Sequence, residues 1–307
     1  MNDGGLLVVL AFVAQTVRIS VPYALAAVGG TLSERGGVIN IALEGILLLG
    51  ALGYVLGAYY TGNPWAGLLA AALVGLVTAG VHAIVSVGFK ADQITSSLGI
   101  NLVAYGLTRF VLKSVFGSSS NSARVAGLPE WTLGGLGTLP GVGSLFGNPM
   151  VWLAVILVAL AHVVLFRTPF GLRLRTVGEH PETAATLGLS VAWLRTWGVL
   201  LSGVLAGLGG AWLAADQRSF TDGMSGGRGY IALAAMIVGK WNPFGAALAC
   251  LLFGFSEALQ IRLQGQAIPN EFLQMLPYAV TMIVLAGVIG RARPPAADGI
   301  PYDAETK

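Results

Sequence analysis

Apolar stretches long enough to cross a bilayer, separated by short polar connections, dominate the chain. An α-helix rises about 1.5 Å per residue, so about 20 mostly apolar residues span the hydrocarbon core. Pro64–Phe89, Met150–Phe166, Thr196–Ala215 and Phe272–Gly290 contain no Asp, Glu, Lys or Arg, and Val38–Tyr60 contains only Glu44. Three further spans carry polar interruptions: Gly5–Gly30 with Arg18 and Pro22, Gln93–Leu112 with Arg109, and Trp241–Leu263 with Glu257 and Arg262. Tyr230–Gly239 is apolar but too short to cross unless it extends backwards through Gly229 and Gly226, which predicts a re-entrant or broken helix. The predicted fold is all-α: a polytopic integral membrane protein with eight or nine transmembrane or re-entrant helices, forming a single membrane domain over residues 1–307.

Basic residues in short connections predict the orientation. The richest connection, 167–195, carries Arg167, Arg173, Arg175 and Arg195 against Glu179 and Glu182, which assigns it to the cytoplasm. Counting back from it puts Lys90 and the Ser33–Gly37 turn on the same side. The Gly/Ser/Pro-rich connection 117–149 and the N-terminus then fall outside. Arg291 and Arg293 favour a cytoplasmic tail, which requires the Tyr230 region to cross fully. Met1–Leu10 has no Lys or Arg, unlike the basic leader of a cleaved signal peptide, so the first apolar segment is expected to be retained.

Composition agrees with a bilayer as solvent. Hydrophobic residues make up 55% and charged residues 10%, with a mean hydropathy of +0.77, whereas soluble domains carry about 25% charged residues. Seventeen basic against 14 acidic residues leave a net charge of +3. The basic residues are scattered through connections rather than clustered on one face, so no nucleic-acid partner follows. A lone cysteine, Cys250, excludes an intrachain disulfide and a Cys-based metal site. Among the 44 glycines, Gly53 with Gly57, Gly203 with Gly207, and Ala206 with Gly210 have the spacing that lets membrane helices approach closely.

Polar residues inside apolar spans are the candidate functional positions, because a carboxylate there costs a few kcal/mol or more and needs a partner or a water-filled cavity. Glu44 follows Asn40 by four residues, one helical turn, so both are expected on one face. They either line a solute path or fix helix packing by hydrogen bonds. Ser97 and Asn101, with Gln93 a turn earlier, repeat the arrangement in the next polar span. Glu257 and Gln260 lie near Arg262, which allows either a path lining or an interfacial ion pair. His82 and His162 are isolated in apolar helices and have no metal partner at ligand spacing.

Other chemistries leave no trace. The one Gly-Lys pair, Gly239–Lys240, is followed by Trp241 and so makes no phosphate-binding loop. There is no H-E-x-x-H and no G-x-S-x-G motif, which disfavours an intramembrane enzyme. In the 167–195 connection, Pro181–Leu187 reads as a short helix, with Pro181 suited to its first turn, Glu182 to its positive end, and Gly188 as its stop. A short helix between two spans is shaped either as a connector or as a ridge that docks into a soluble partner.

The segments Leu32–Gly45 (LSERGGVINIALEG), Thr168–Glu182 (TPFGLRLRTVGEHPE), Gly227–Pro243 (GRGYIALAAMIVGKWNP) and Ala258–Leu263 (ALQIRL) resemble one family. These are the permease subunits of ABC importers for branched-chain amino acids, simple sugars and nucleosides, and the purine-nucleoside type is the nearest in pattern. The pattern departs from the family's at Gly36, where Ser is usual, and near Ala185, where an acidic residue is common. The resemblance implies that Gly178, Glu179, His180, Pro181, Glu182, Leu187 and Gly188 contact a separate ATPase subunit that holds ATP and Mg, with no cofactor in this chain. It also implies a second, related permease chain, an extracytoplasmic substrate-binding lipoprotein, and residence in a bacterial inner membrane. On this reading Asn40, Glu44, Ser97 and Asn101 belong to the substrate pathway. An importer for a simple sugar such as ribose, and an ATPase-independent secondary transporter, are the alternatives.

Overall fold

The computed structural model describes residues 3–131, 141–265, 269–283, 286 and 292–303. Twelve α-helices follow one another among these residues. They are α1 (Asp3–Glu34), α2 (Leu43–Thr61), α3 (Pro64–Ala83), α4 (Gln93–Phe116), α5 (Gly143–Phe146), α6 (Pro149–Arg167), α7 (Pro169–Glu179), α8 (Pro181–Thr186), α9 (Val191–Gln217), α10 (Arg228–Val238), α11 (Pro243–Leu263) and α12 (Asn270–Ile283). A π-turn, Ile84–Gly88, prolongs α3. Six helices, α1, α2, α3, α6, α9 and α11, are long and apolar enough to cross a membrane. The 24-residue α4 has the length, and it carries Arg109 and Lys113 in its last two turns. The expected span at 272–290 is described only through Ile283 and at residue 286, and Arg291 lies outside the described residues, as do 132–140 of the connection 117–149.

Local chemistry marks the boundaries. Pro64, Pro149, Pro169, Pro181 and Pro243 each open a helix, where the missing N–H costs nothing. Asn63, Asp92, Asn148, Thr168, Ser190 and Asn242 cap helix N-termini through their side chains.

The centre of the bundle is a glycine seam between α2, α3 and α9. A Cβ on Gly75 would lie 2.2 Å from the Gly203 carbonyl oxygen, one on Gly50 2.5 Å from that of Gly207, and one on Gly210 2.0 Å from that of Leu47. Backbones approach this closely only when no side chain intervenes, and dispersion over the resulting contact holds helices together where lipid removes the usual hydrophobic driving force. The small-residue spacings at Gly203 and Gly207 mark this seam, while Gly53 and Gly57 face Ala70 and Gly67 of α3.

The segment around Tyr230 belongs to a stretch that links two ends of the bundle and is only partly helical. At one end of the bundle, Ser122 and Val125 donate backbone hydrogen bonds to Phe220 and Arg218 just beyond α9. At the other end, beyond α10, Arg35 donates to the carbonyls of Trp241 and Lys240, and Trp241 Nε1 donates to Glu34 at 2.6 Å. Residues 218–227 contain no helix. The 11 residues of α10 follow, rising about 16 Å at 1.5 Å per residue.

Candidate functional site: a broken helix between polar cavities

The N-termini of two helices meet where α10 begins. Gly229 presses on the first turn of α2 so tightly that a Cβ there would lie 2.3 Å from the Glu44 nitrogen. Glu44 is fully buried. Its Oε1 accepts the Gly227 amide at 2.8 Å and the Tyr105 hydroxyl at 3.2 Å, and its Oε2 accepts the Gly229 amide at 2.7 Å. Glu44 also sits in the first turn of its own helix. One carboxylate therefore serves two positive helix ends, which offsets the cost of placing it in an apolar interior.

Around this junction the other sequence candidates form a buried polar seam. Asn101 Oδ1 accepts the Gly45 amide at 2.8 Å, and its Nδ2 donates to Ile41 O and the Tyr230 hydroxyl. Gln93 accepts the Ile39 amide at 2.7 Å. Ser97 is buried on the same face, and its hydroxyl has no partner among the described residues. Asn40 departs from the expected geometry: α2 begins only at Leu43, so Asn40 shares no helical face with Glu44. Residues 38–40, after the glycine-rich turn, lie outside any helix, and Asn40 donates to Ser202 of α9 at 3.1 Å while its Oδ1 accepts the Ala42 amide. His82 is likewise structural, held between Ser96 and the Ile39 carbonyl at 3.0 Å each.

Two cavities adjoin the break. One of about 500 Å³ is lined by Gln15, Arg18, Asp216, Gln217 and Arg228 among others, and Arg18 and Asp216 form an ion pair in its wall. The other, of about 210 Å³, is lined by Tyr23, Arg228, Glu257, Gln260, Pro277 and Tyr278. Arg228 borders both. The sequence reading placed Glu257 beside Arg262, but Glu257 pairs with Arg228 at 2.7 Å. Arg262 lies instead over the Phe12 ring. Neighbours along one helix are the partners a sequence suggests, and a broken helix 29 residues away supplied the actual one. Arg18, Tyr23 and Arg228 thus join the site from outside the sequence candidates; the signals were an arginine and a tyrosine inside an apolar span and an arginine flanked by glycines.

The remaining candidates lie at the end of the bundle marked by Arg35. Gly178 of α7 packs on the turn just after α1, where a Cβ would lie 2.2 Å from the Arg35 carbonyl oxygen. His180 is the non-helical residue between α7 and α8, and Pro181 opens α8. Glu182, Leu187 and Gly188 are exposed, Leu187 at 72%. Gly188 adopts φ +78°, a conformation that glycine takes without strain. Residues 292–303 fold back over this face: Ala297 donates to Gly178 O at 2.9 Å, Ala296 donates to Glu179, and Arg195 donates to Ile300 O at 2.8 Å.

The family described as branched-chain amino acid transport system / permease component matches residues 12–285. A guanosine ABC transporter permease protein of Bacillus subtilis is 40% identical over 94% of this chain and 95% of its own length. A nucleoside ABC transporter permease protein of Lactococcus lactis is 42% identical over 94% and 96%. A putative glucose ABC transporter permease protein of Haloferax volcanii is 33% identical over 90% and 91%. No solved structure matches the chain.

Proposed function

Because the chain belongs to the family of branched-chain amino acid transport system permease components, we propose that it is the permease subunit of an ATP-driven importer for nucleosides. The observation that carries this reading is near-full-length identity of 40% and 42% to permeases named for guanosine and nucleosides. The broken helix supports a neutral solute. A half-helix N-terminus within a membrane protein can receive a substrate carboxylate, but here Glu44 already occupies the Gly227 and Gly229 amides.

In this reading an ATPase subunit, which binds ATP and Mg, docks on α8 and its flanks from Gly178 to Gly188. Movement there passes through the contact of Gly178 with Arg35 to the Lys240–Trp241 turn that Arg35 holds, and so to α10 and Glu44. Asn40, Glu44, Ser97 and Asn101 form the polar seam that borders the pathway and against which α10 shifts. A second permease chain, an extracytoplasmic binding lipoprotein, a bacterial inner membrane and a cytoplasmic placement of 167–195 complete the arrangement. ATP binding and hydrolysis bias alternating access through contacts that differ between the two states.

The test is uptake of radiolabelled guanosine, cytidine and ribose by cells with and without the gene, with an ATPase-inactive partner as control. Loss of ATPase-dependent nucleoside uptake is expected. Loss of ribose uptake alone would favour a sugar importer, the second reading that the 33% identity to a glucose permease supports. Uptake indifferent to the ATPase would exclude both.

A further inference from the structure

An apolar groove of about 310 Å³ runs between α1, α6 and α11. Val21, Ala154, Val158 and Ala247 are among its lining residues, and it opens outward, since Val155, Phe244 and Leu251 of the same lining are exposed. Ser20, the polar residue among them, turns its hydroxyl to the Thr16 carbonyl of its own helix at 2.7 Å. Along α11 the groove runs from Phe244 to Leu251, a rise of about 10 Å from that helix's first turn and so within the hydrocarbon half of one leaflet, about 15 Å. Spread along that rise, the volume amounts to about 30 Å² in section, room for a hydrocarbon chain but not for a partner helix about 10 Å across.

At the end marked by Arg35, this apolar wall leads into positive charge. The Phe244 ring lies 4.4 Å from that of His162, and His162 lies 4.9 Å from Phe166. Two guanidinium groups stand over Phe166, Arg175 at 4.8 Å and Arg35 at 5.9 Å from its centroid. Both side chains are partly exposed, and neither forms an ion pair among the described residues. Arg35 donates Nε and Nη2 to the carbonyls of Trp241 and Lys240, and Arg175 donates Nε to Gly171 O at 3.4 Å. Arg35 Nη1 and both Nη atoms of Arg175 have no protein partner among the described residues. Burial lowers the Arg35 pKa from its ordinary value; Glu179 opposes the shift and the neighbouring charge of Arg175 adds to it. Arg167 and Lys240, both exposed, add two cations at the same end of α6 and α11.

We propose that this is a binding site for one anionic phospholipid, with an acyl chain in the groove and its phosphate on Arg35 and Arg175. Charge selects the occupant. Two like charges on one ring call for an anion, and a planar guanidinium with free Nη donors suits phosphate oxygens. A zwitterionic headgroup brings its own cation to a place that already holds several, whereas basic pockets between membrane helices take anionic headgroups. Arg175 belongs to α7, and Arg35 holds the Lys240–Trp241 turn, so the phosphate joins the two elements. The inference requires that α1, α6 and α11 cross a membrane and is independent of the solute carried.

The experiment incubates the purified full chain in detergent with equal amounts of phosphatidylglycerol and phosphatidylcholine. Native mass spectrometry then counts the lipids retained by wild type, Arg175→Gln and Ala159→Phe. Wild type is expected to hold one phosphatidylglycerol at least about tenfold more often than phosphatidylcholine, since each basic residue near an anionic lipid contributes about fivefold. Arg175→Gln, which removes no ion pair, is expected to lower phosphatidylglycerol retention about fivefold and to leave phosphatidylcholine unchanged. Ala159→Phe fills the groove while sparing the arginines, and is expected to lower phosphatidylglycerol retention several-fold. If Ala159→Phe does not fold, Arg175→Gln decides. Equal retention of the two lipids by wild type, or undiminished phosphatidylglycerol on Arg175→Gln, would overturn the proposal. So would an Ala159→Phe chain that keeps its phosphatidylglycerol but no longer co-purifies with a second permease chain, because the groove would then be an interface between chains.

Discussion

Glu44 and Gly229 join the first turns of α2 and α10: the Gly229 amide donates to Glu44 Oε2 at 2.7 Å, and there is no room for a side chain between the two backbones. Both helices direct their positive ends at one carboxylate. The contact makes the irregular stretch before α10 tolerable, because backbone N–H groups that no helix satisfies need a partner inside an apolar bundle.

Glu44→Ala is therefore expected to destabilise the detergent-solubilised protein by about 2–3 kcal/mol, since it leaves the Gly227 and Gly229 amides unpaired. Glu44→Gln keeps one acceptor and is expected to assemble with the ATPase subunit while transporting more slowly. Thermal unfolding and co-purification read the two effects. A stable Ala variant would show that the cap contributes little.

The glycine seam allows a matched pair of substitutions in α3. A Cβ at Gly75 would meet the Gly203 carbonyl oxygen at 2.2 Å, whereas at Gly80 the nearest atom is Leu200 Cδ2 at 3.7 Å. Gly75→Ala should force α3 from α9 and cost about 1–3 kcal/mol or prevent folding. Gly80→Ala should be neutral or stabilise by up to about 1 kcal/mol through helix propensity. Melting temperatures of the two variants check the contrast, and equal tolerance would contradict the close packing.

Asp298, in the segment folded over the Arg35 end, introduces a pH dependence. Burial pushes its carboxyl up from the ordinary 3.8 to about 7, against the opposing Arg195 guanidinium, a hydrogen bond with Glu34 and the Gly299 amide. The folded state thus holds a proton that the unfolded chain releases. The contribution to stability is complete below the ordinary value and declines as pH rises towards about 7. Melting temperatures should fall between pH about 5 and about 8 by more in the wild type than in Asp298→Asn, which has no proton to lose. Identical slopes would remove Asp298 from the account.

Glu182 and Leu187 are exposed on and just after α8. Glu182→Arg and Leu187→Ala are expected to shift the stability of the isolated chain by less than about 0.5 kcal/mol, as surface changes do. Recovery of the ATPase subunit on co-purification should fall several-fold. Undiminished recovery with both variants would move the docking surface elsewhere.

Much of this molecule was legible in the order of its residues, because the bilayer imposes a simple rule. A segment of about 20 apolar residues must form a helix to satisfy its own backbone, so the all-α fold and its spans follow from composition along the chain. Carboxylates and amides within those spans stand out for the same reason, as Glu44, Asn101 and Glu257 did. One helix start followed from Pro181, and the apolar run at Tyr230 was visible as too short to cross by itself. Tertiary structure decided who meets whom. Glu44 finds Gly229, Glu257 finds Arg228 rather than Arg262, and Asn40 leaves the helix to reach Ser202. Sequence spacing governs partners within one helix, but pairing across a bundle depends on how closely backbones approach. Here the Gly50–Gly207 and Gly75–Gly203 contacts set that approach.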